Sequence, residues 1–102
     1  MRIEMVEIYS DATNAAIIRH PGRKFPGLLV QGDSLSGLCR SANEVYERLF
    51  GTVDEESRWA LFMLYEQLQT YLAHYKNTLE EHGIDLPFSP EIPPKPNPPV
   101  AR

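Results

Sequence analysis

Apolar and polar residues alternate over residues 4–9, Glu-Met-Val-Glu-Ile-Tyr, with Val6 and Ile8 on one side and Glu7 and Tyr9 on the other. That is the pattern of a half-buried strand. Ser10-Asp11-Ala12-Thr13-Asn14 supplies turn chemistry. The apolar run Ala15–Ile18 that follows reads as a strand or, with Asp11 as cap, a helical turn, and its β-branched pair favours the strand. His20 to Gly27 holds two prolines and two glycines and must be a loop. Leu28-Leu29-Val30 is apolar on both faces, which predicts a third strand in a central position.

Beyond residue 32 the period changes from two to 3.6. Leu35, Leu38, Cys39, Ala42, Val45, Tyr46 and Leu49 trace one stripe of a helix capped by Asp33 or Ser34 and ended by Gly51. Asp54, with Glu55 and Glu56 in the first turn, opens a second and longer helix. Its stripe runs Leu61, Leu64, Tyr65, Leu68, Leu72, Tyr75 and Leu79, and Gly83 stands where a left-handed residue would close it. The short loop between the two helices predicts an antiparallel hairpin. Each stripe side chain it buries contributes roughly 1.5–3 kcal/mol.

The expected fold class is α+β: a short antiparallel sheet of about three strands, then a two-helix antiparallel hairpin, together one domain over residues 1–86. Seven of the nine prolines fall between Pro87 and Pro99, so residues 87–102 should form an extended or disordered tail. Its repeated P-x-x-P spacing suits aromatic grooves, though any proline-rich run generates it.

Composition narrows the classes. A 102-residue chain can fold without staples, and the lone Cys39 cannot form an internal disulfide, which fits a reducing cytoplasm. The N-terminus has no signal-peptide pattern, and the longest apolar stretch, Trp59–Leu64, is too short to cross a bilayer. A formal net charge of −4 argues against non-specific nucleic-acid binding.

Candidate chemistry concentrates in two places. Arg19, His20, Arg23 and Lys24 put four potentially cationic groups on a loop stiffened by Pro21 and Pro26, with Phe25 beside them. This suits recognition of phosphate or carboxylate, against the plainer reading of a solvated connection with Phe25 in the core. Trp59, Phe62, Met63 and Tyr71 fall partly off the stripe of the second helix, as a second buried side or a partner surface. The histidines His20, His74 and His82 lack metal-ligand spacing, and no metal or other cofactor is expected. Cys39 sits on an apolar stripe, where a thiol behaves as a small hydrophobe. The acids at 54–56 read as a helix start rather than a catalytic pair.

Leu28 to Gly37 reads as strand, Gly-Asp-Ser-Leu-Ser, then helix, and resembles the opening block of the GDSL-type serine hydrolases. That resemblance implies Ser34 as nucleophile at a strand-to-helix turn. The late Asp-x-x-His segment and the Gly-x-Asn-Asp block of those enzymes have no counterpart here, and a serine without an oriented base is weak. The plainer alternative is that Gly32 turns the chain, Asp33 caps and Ser34 begins the helix. The longer segment Asn14-Ala-Ala-Ile-Ile-Arg-His-Pro-Gly-Arg-Lys-Phe-Pro-Gly-Leu-Leu-Val-Gln-Gly-Asp-Ser-Leu35, with His82-Gly-Ile-Asp-Leu-Pro87, resembles a bacterial family of small uncharacterised proteins. It implies no activity.

The leading expectation is a cytosolic, non-catalytic protein-binding module, for example of the immunity or antitoxin type, that meets a protein partner or a second copy of itself. Arg19, His20, Arg23, Lys24 and Phe25 of the loop and Trp59 and Phe62 of the second helix are its candidate contacts. The alternatives are a minimal hydrolase using Ser34 and a small anion or nucleotide binder using the 19–25 loop. Asp33 counts against the last, because its carboxylate would occupy the same helix amides.

Overall fold

Three short strands form on the three N-terminal apolar runs: β1 Glu7–Ser10, β2 Ala15–Arg19 and β3 Gly27–Val30. Two helices follow, α1 Gly32–Leu49 and α2 Glu55–Glu81, so the fold is α+β as the periodicities require. The computed structural model of the chain describes residues 1–89. The predicted tail lies, from residue 90 on, outside the described residues. Two compact units divide the chain, Met1–Gln31 and the segment from Gly32 onward, and each is taken by itself.

In the first unit the strands pair antiparallel in the order β1-β2-β3. The central strand is therefore β2, and β3, expected at the centre, is an edge. Short connections on both sides of β2 lay consecutive strands side by side, so the middle strand in sequence is the middle strand in space. Strand β1 also begins later than the alternation suggests. Glu7 pairs with Arg19, the last residue of β2, so residues before Glu7 have no partner once Pro21 has turned the chain away. A register irregularity between Ile8 and Ser10 marks a bulge at the other end of β1.

The second unit is a helix hairpin. The thiol of Cys39 donates to the Leu68 carbonyl oxygen at 3.3 Å, and the ring of Tyr46 stacks with Tyr65 at 6.4 Å and lies 5.8 Å from Phe62. Position numbers rise along α1 as they fall along α2, so the helices are antiparallel. The buried row of α1 is Gly32, Ser36, Cys39, Asn43 and Tyr46, alternating steps of four and three as a packing seam does. Of the predicted stripe only Cys39 and Tyr46 belong to it; Leu38, Val45 and Leu49 are exposed. On α2 the fully buried residues are Phe62, Tyr65 and Leu72. Leu64, expected inside, is exposed, and Phe62, expected off the stripe, is buried. Small residues occupy the closest approach: a Cβ on Gly32 would lie 2.2 Å from the ring and hydroxyl of Tyr75.

Local chemistry fixes the ends. The helix α1 starts at Gly32, one residue before the expected cap, with Asp33 in the first turn, where a carboxylate opposes the dipole. Between the helices the Arg58 guanidinium donates to the carbonyls of Val53 (2.8 Å) and Phe50 (3.3 Å) and lies 5.6 Å over the Phe50 ring. Asp54 is the N-cap residue of α2, and the Ser57 side chain, followed by the Ser57 backbone amide, holds its carboxyl below the ordinary range. Gly83 closes α2 at φ 63° as predicted, with Ile84 N–H bonded to the Leu79 carbonyl and Gly83 N–H to Glu80. These are the two bonds of a Schellman motif. After it Phe88 returns to stack on Tyr75 at 6.3 Å.

Candidate functional site

The loop joining β2 to β3 is set by its prolines and glycines. Arg23 N–H donates to the His20 carbonyl at 2.9 Å, closing a turn over Pro21 and Gly22. Pro21 presets φ for the second position, and Gly22 has no positive φ, which is the combination of a type I turn. Nδ1 of His20 accepts from Gly22 N–H at 3.0 Å, so that ring braces the turn.

Register decides the fate of Arg19. It lies opposite Glu7 on β1, and its guanidinium pairs with that carboxylate, Nε donating to Oε2 at 3.1 Å. The Tyr9 hydroxyl donates to the same carboxylate. Chiefly through Arg19, and next through Tyr9, the Glu7 carboxyl is lowered from 4.5 to about 2. Nη1 of Arg19 also reaches the Arg23 carbonyl at 3.4 Å. Of the four candidate cations, Arg19 is therefore committed to holding strand and loop together.

The others meet at a groove. A concavity of about 560 Å³ is lined by His20, Arg23, Lys24 and Phe25 from the loop and by Leu28 and Leu29 from β3. Phe25 is 73 % exposed, so it is not tucked into a core. Lys24 Nζ lies 5.5 Å from its ring centroid, a cation–π contact at the mouth. Alongside runs β3, whose outer edge has no strand partner among the described residues. An open backbone edge beside a basic, aromatic groove can accept an extended chain by main-chain hydrogen bonds, seat its apolar side chains and pair its carboxylates.

The remaining candidates fall elsewhere. Trp59 is half-buried and meets Phe62 edge-on at 6.0 Å, while Phe62 is only 8 % exposed and belongs to the aromatic core with Tyr46. Neither lines the groove, and Phe62 is unavailable as a contact because the α1–α2 seam covers it. Ser34 lies in the first turn of α1, its N–H donating to Asp33 Oδ1 at 2.9 Å. His82 holds a ring nitrogen 2.9 Å from the Thr78 carbonyl, one turn back on its own helix. Burial raises the pKa of the Cys39 thiol, whose residue is 1 % exposed. Among the described residues no three His, Cys, Asp or Glu side chains are placed to share a metal ion, and no helix is long and apolar enough to cross a membrane.

Two features escaped the sequence reading. One is the β3 edge, hidden because strand order is not written in any local pattern. The other is a concavity of about 600 Å³ along the last turns of α2, lined by Leu72, Lys76, Glu80, Ile84 and Leu86. It exists because the Schellman turn brings Ile84 and Leu86 back beside the helix, and Gly83 was the available signal.

Sheet, hairpin and groove define a small α+β protein with a basic-aromatic concavity against an open strand. The chain belongs to the family of unknown function DUF6959, whose sequence profile matches residues 1–88. No curated protein and no solved structure matches it.

Proposed function

We propose that this protein is a non-catalytic binding module that captures an extended, acidic segment of a partner protein along β3 and in the groove beside it. The observation that carries this reading is the juxtaposition of Arg23, Lys24 and exposed Phe25 with the open edge of β3. An added strand would take its main-chain bonds from that edge, and its alternate side chains would meet Leu28 or the cations. At the helix start the Ser34 N–H donates to Asp33 Oδ1, a local first-turn contact that suits the plainer structural role for this serine. We place the protein in the cytoplasm, where a buried thiol needs no partner, and its size and acidity suit an immunity- or antitoxin-type role.

The test is affinity capture from the source organism with a photo-crosslinking residue at position 25. Wild type should give a reproducible crosslinked partner, and Arg23→Glu with Lys24→Glu should lose it, while Arg40→Glu on α1 should not. A partner retained after the double reversal refutes the assignment. Labelling by a fluorophosphonate that is lost on Ser34→Ala would replace it with the hydrolase reading.

A further inference from the structure

The helix hairpin carries a second apolar row. On α1 it is Leu35, Leu38, Ala42, Val45 and Leu49, with steps of three and four; on α2 it is Leu61, Leu64, Leu68, Tyr71 and Tyr75, with the same steps. In both helices the row sits one residue N-terminal to the buried seam. One residue is about 100° of rotation, and reversing the direction of the second helix reverses the sense of that rotation in space. Both rows therefore fall on the same side of an antiparallel pair and form one continuous face.

That face is uncovered at its outer positions: Leu38 is 50 % exposed, Leu64 54 %, and Val45, Leu49 and Tyr71 are exposed as well. Its outer border is Ser34, Ser41 and Arg48 on α1 and Gln67 and His74 on α2, and Arg48 is already paired with Glu44 at 2.6 Å. No unpaired charge stands within it. Asp33, Arg40, Glu47, Glu66 and Glu80 lie across the seam, on the opposite side. Apolar centre, polar border and depleted charge are the composition of an interface core rather than of a solvated helix face.

We propose that the occupant of this face is a second copy of the same chain, giving a symmetric four-helix assembly. Two observations select a copy over a foreign partner. The face offers no charge for an unlike surface to complement, so two acidic chains can meet there without like-charge repulsion. Its size also fits. Eighteen residues of α1 give about 27 Å of length at ~1.5 Å per residue. Two helices side by side give about 20 Å of width, hence a footprint of roughly 540 Å² before side-chain relief is counted. Stable interfaces take about 600–1,000 Å² from each partner. The flat footprint falls just short of that range, so the dimer should be weak and reversible on dilution. This goes beyond the groove reading and uses none of its residues.

Sedimentation equilibrium of the full chain from about 5 to 200 μM tests it. At the upper concentration the mass should approach twice the 11.6 kDa of the monomer. Leu38→Glu with Leu64→Glu should return it to 11.6 kDa with helical circular dichroism unchanged, and Leu38→Ser with Leu64→Ser serves if the glutamates unfold the hairpin. Met63→Glu, equally exposed but across the seam, should leave the dimer intact. A monomeric wild type at 200 μM, a dimer that survives the leucine replacements, or one lost with Met63→Glu overturns the proposal. Loss of the dimer leaves the Arg23/Lys24 crosslink unaffected, so the two readings fail separately.

Discussion

Two glycines of α1 should respond to the same substitution with opposite signs. Gly32 is buried, and a Cβ there would lie 2.2 Å from Cζ and Oη of Tyr75 and 2.5 Å from Cε1. Carbon atoms in contact sit about 3.5–4.0 Å apart, so the overlap with the ring carbons is about 1 Å or more. Tyr75 cannot swing freely, because its other surroundings include the stacked ring of Phe88. Overpacking of this kind costs about 1–3 kcal/mol. Against it stands the gain of alanine over glycine, at most about 1 kcal/mol inside a helix and less at its first residue. The net expectation for Gly32→Ala is a loss of about 1–2 kcal/mol, or roughly 4–16 °C in Tm for a chain of this size. Gly37 has no heavy atom within 4 Å of its would-be Cβ. Gly37→Ala therefore collects only the propensity term and should gain about 0.5–1 kcal/mol. Urea unfolding followed by circular dichroism at 222 nm measures both. Tyr75→Ala should abolish the cost of Gly32→Ala, with a coupling of about 1 kcal/mol or more in the double-mutant cycle. A Gly32→Ala protein as stable as wild type, with coupling below about 0.3 kcal/mol, refutes the close approach of α1 and α2 at that point.

The buried thiol of Cys39 should react with an aromatic disulfide reagent at least about a hundredfold more slowly in the native protein than in denaturant, since access requires opening the seam. Glu7 bears on pH: a carboxyl lowered from 4.5 to about 2 contributes stability that is fully present above 4.5 and lost as pH falls towards 2. The difference in Tm between wild type and Glu7→Gln should accordingly shrink over that window and stay constant above it. Asn43 is 6 % exposed with Oδ1 lacking a hydrogen-bond partner, so Asn43→Ala removes a desolvated carbonyl and improves helix propensity. It should be neutral or stabilising by about 1 kcal/mol in the same urea assay, whereas truncation of an apolar residue in that seam would destabilise. Gly83→Ala, at φ 63°, should cost about 1 kcal/mol by the same measurement.

The elements were legible in the sequence because their signals are local. Alternation over 4–9, prolines and glycines at 20–27, the acids at 54–56 and Gly83 each act within one turn of chain, and the observed boundaries lie within a few residues of them. What was not legible is which side of each helix meets the other. Leu35, Leu38, Val45 and Leu49 make the more hydrophobic stripe of α1, yet the seam chose Gly32, Ser36, Cys39, Asn43 and Tyr46. Close helix approach rewards small side chains, so the most apolar row was displaced to the outside. Phe62, one position off the leucines and open in the sequence between a second buried side and a partner surface, is buried 5.8 Å from the Tyr46 ring.

The loop was legible as a candidate site because its cations crowd between two prolines, but the sequence could not say which of them is already paired. Arg19 is spent on Glu7, twelve residues away, through a register that only pairing creates. Net charge was a coarser guide still. Residues 1–31 hold four bases, Arg2, Arg19, Arg23 and Lys24, against three acids, whereas residues 32–89 hold four bases against ten acids. The overall −4 is thus an average over two unlike segments, and repulsion of anions follows from the helical one alone. Exposed charges are screened beyond about 8 Å at physiological ionic strength, so the charges nearest a ligand weigh most, and those lining the groove are Arg23 and Lys24. A composition that argues against polyanions along the whole chain is therefore compatible with a short acidic ligand at one end of the sheet.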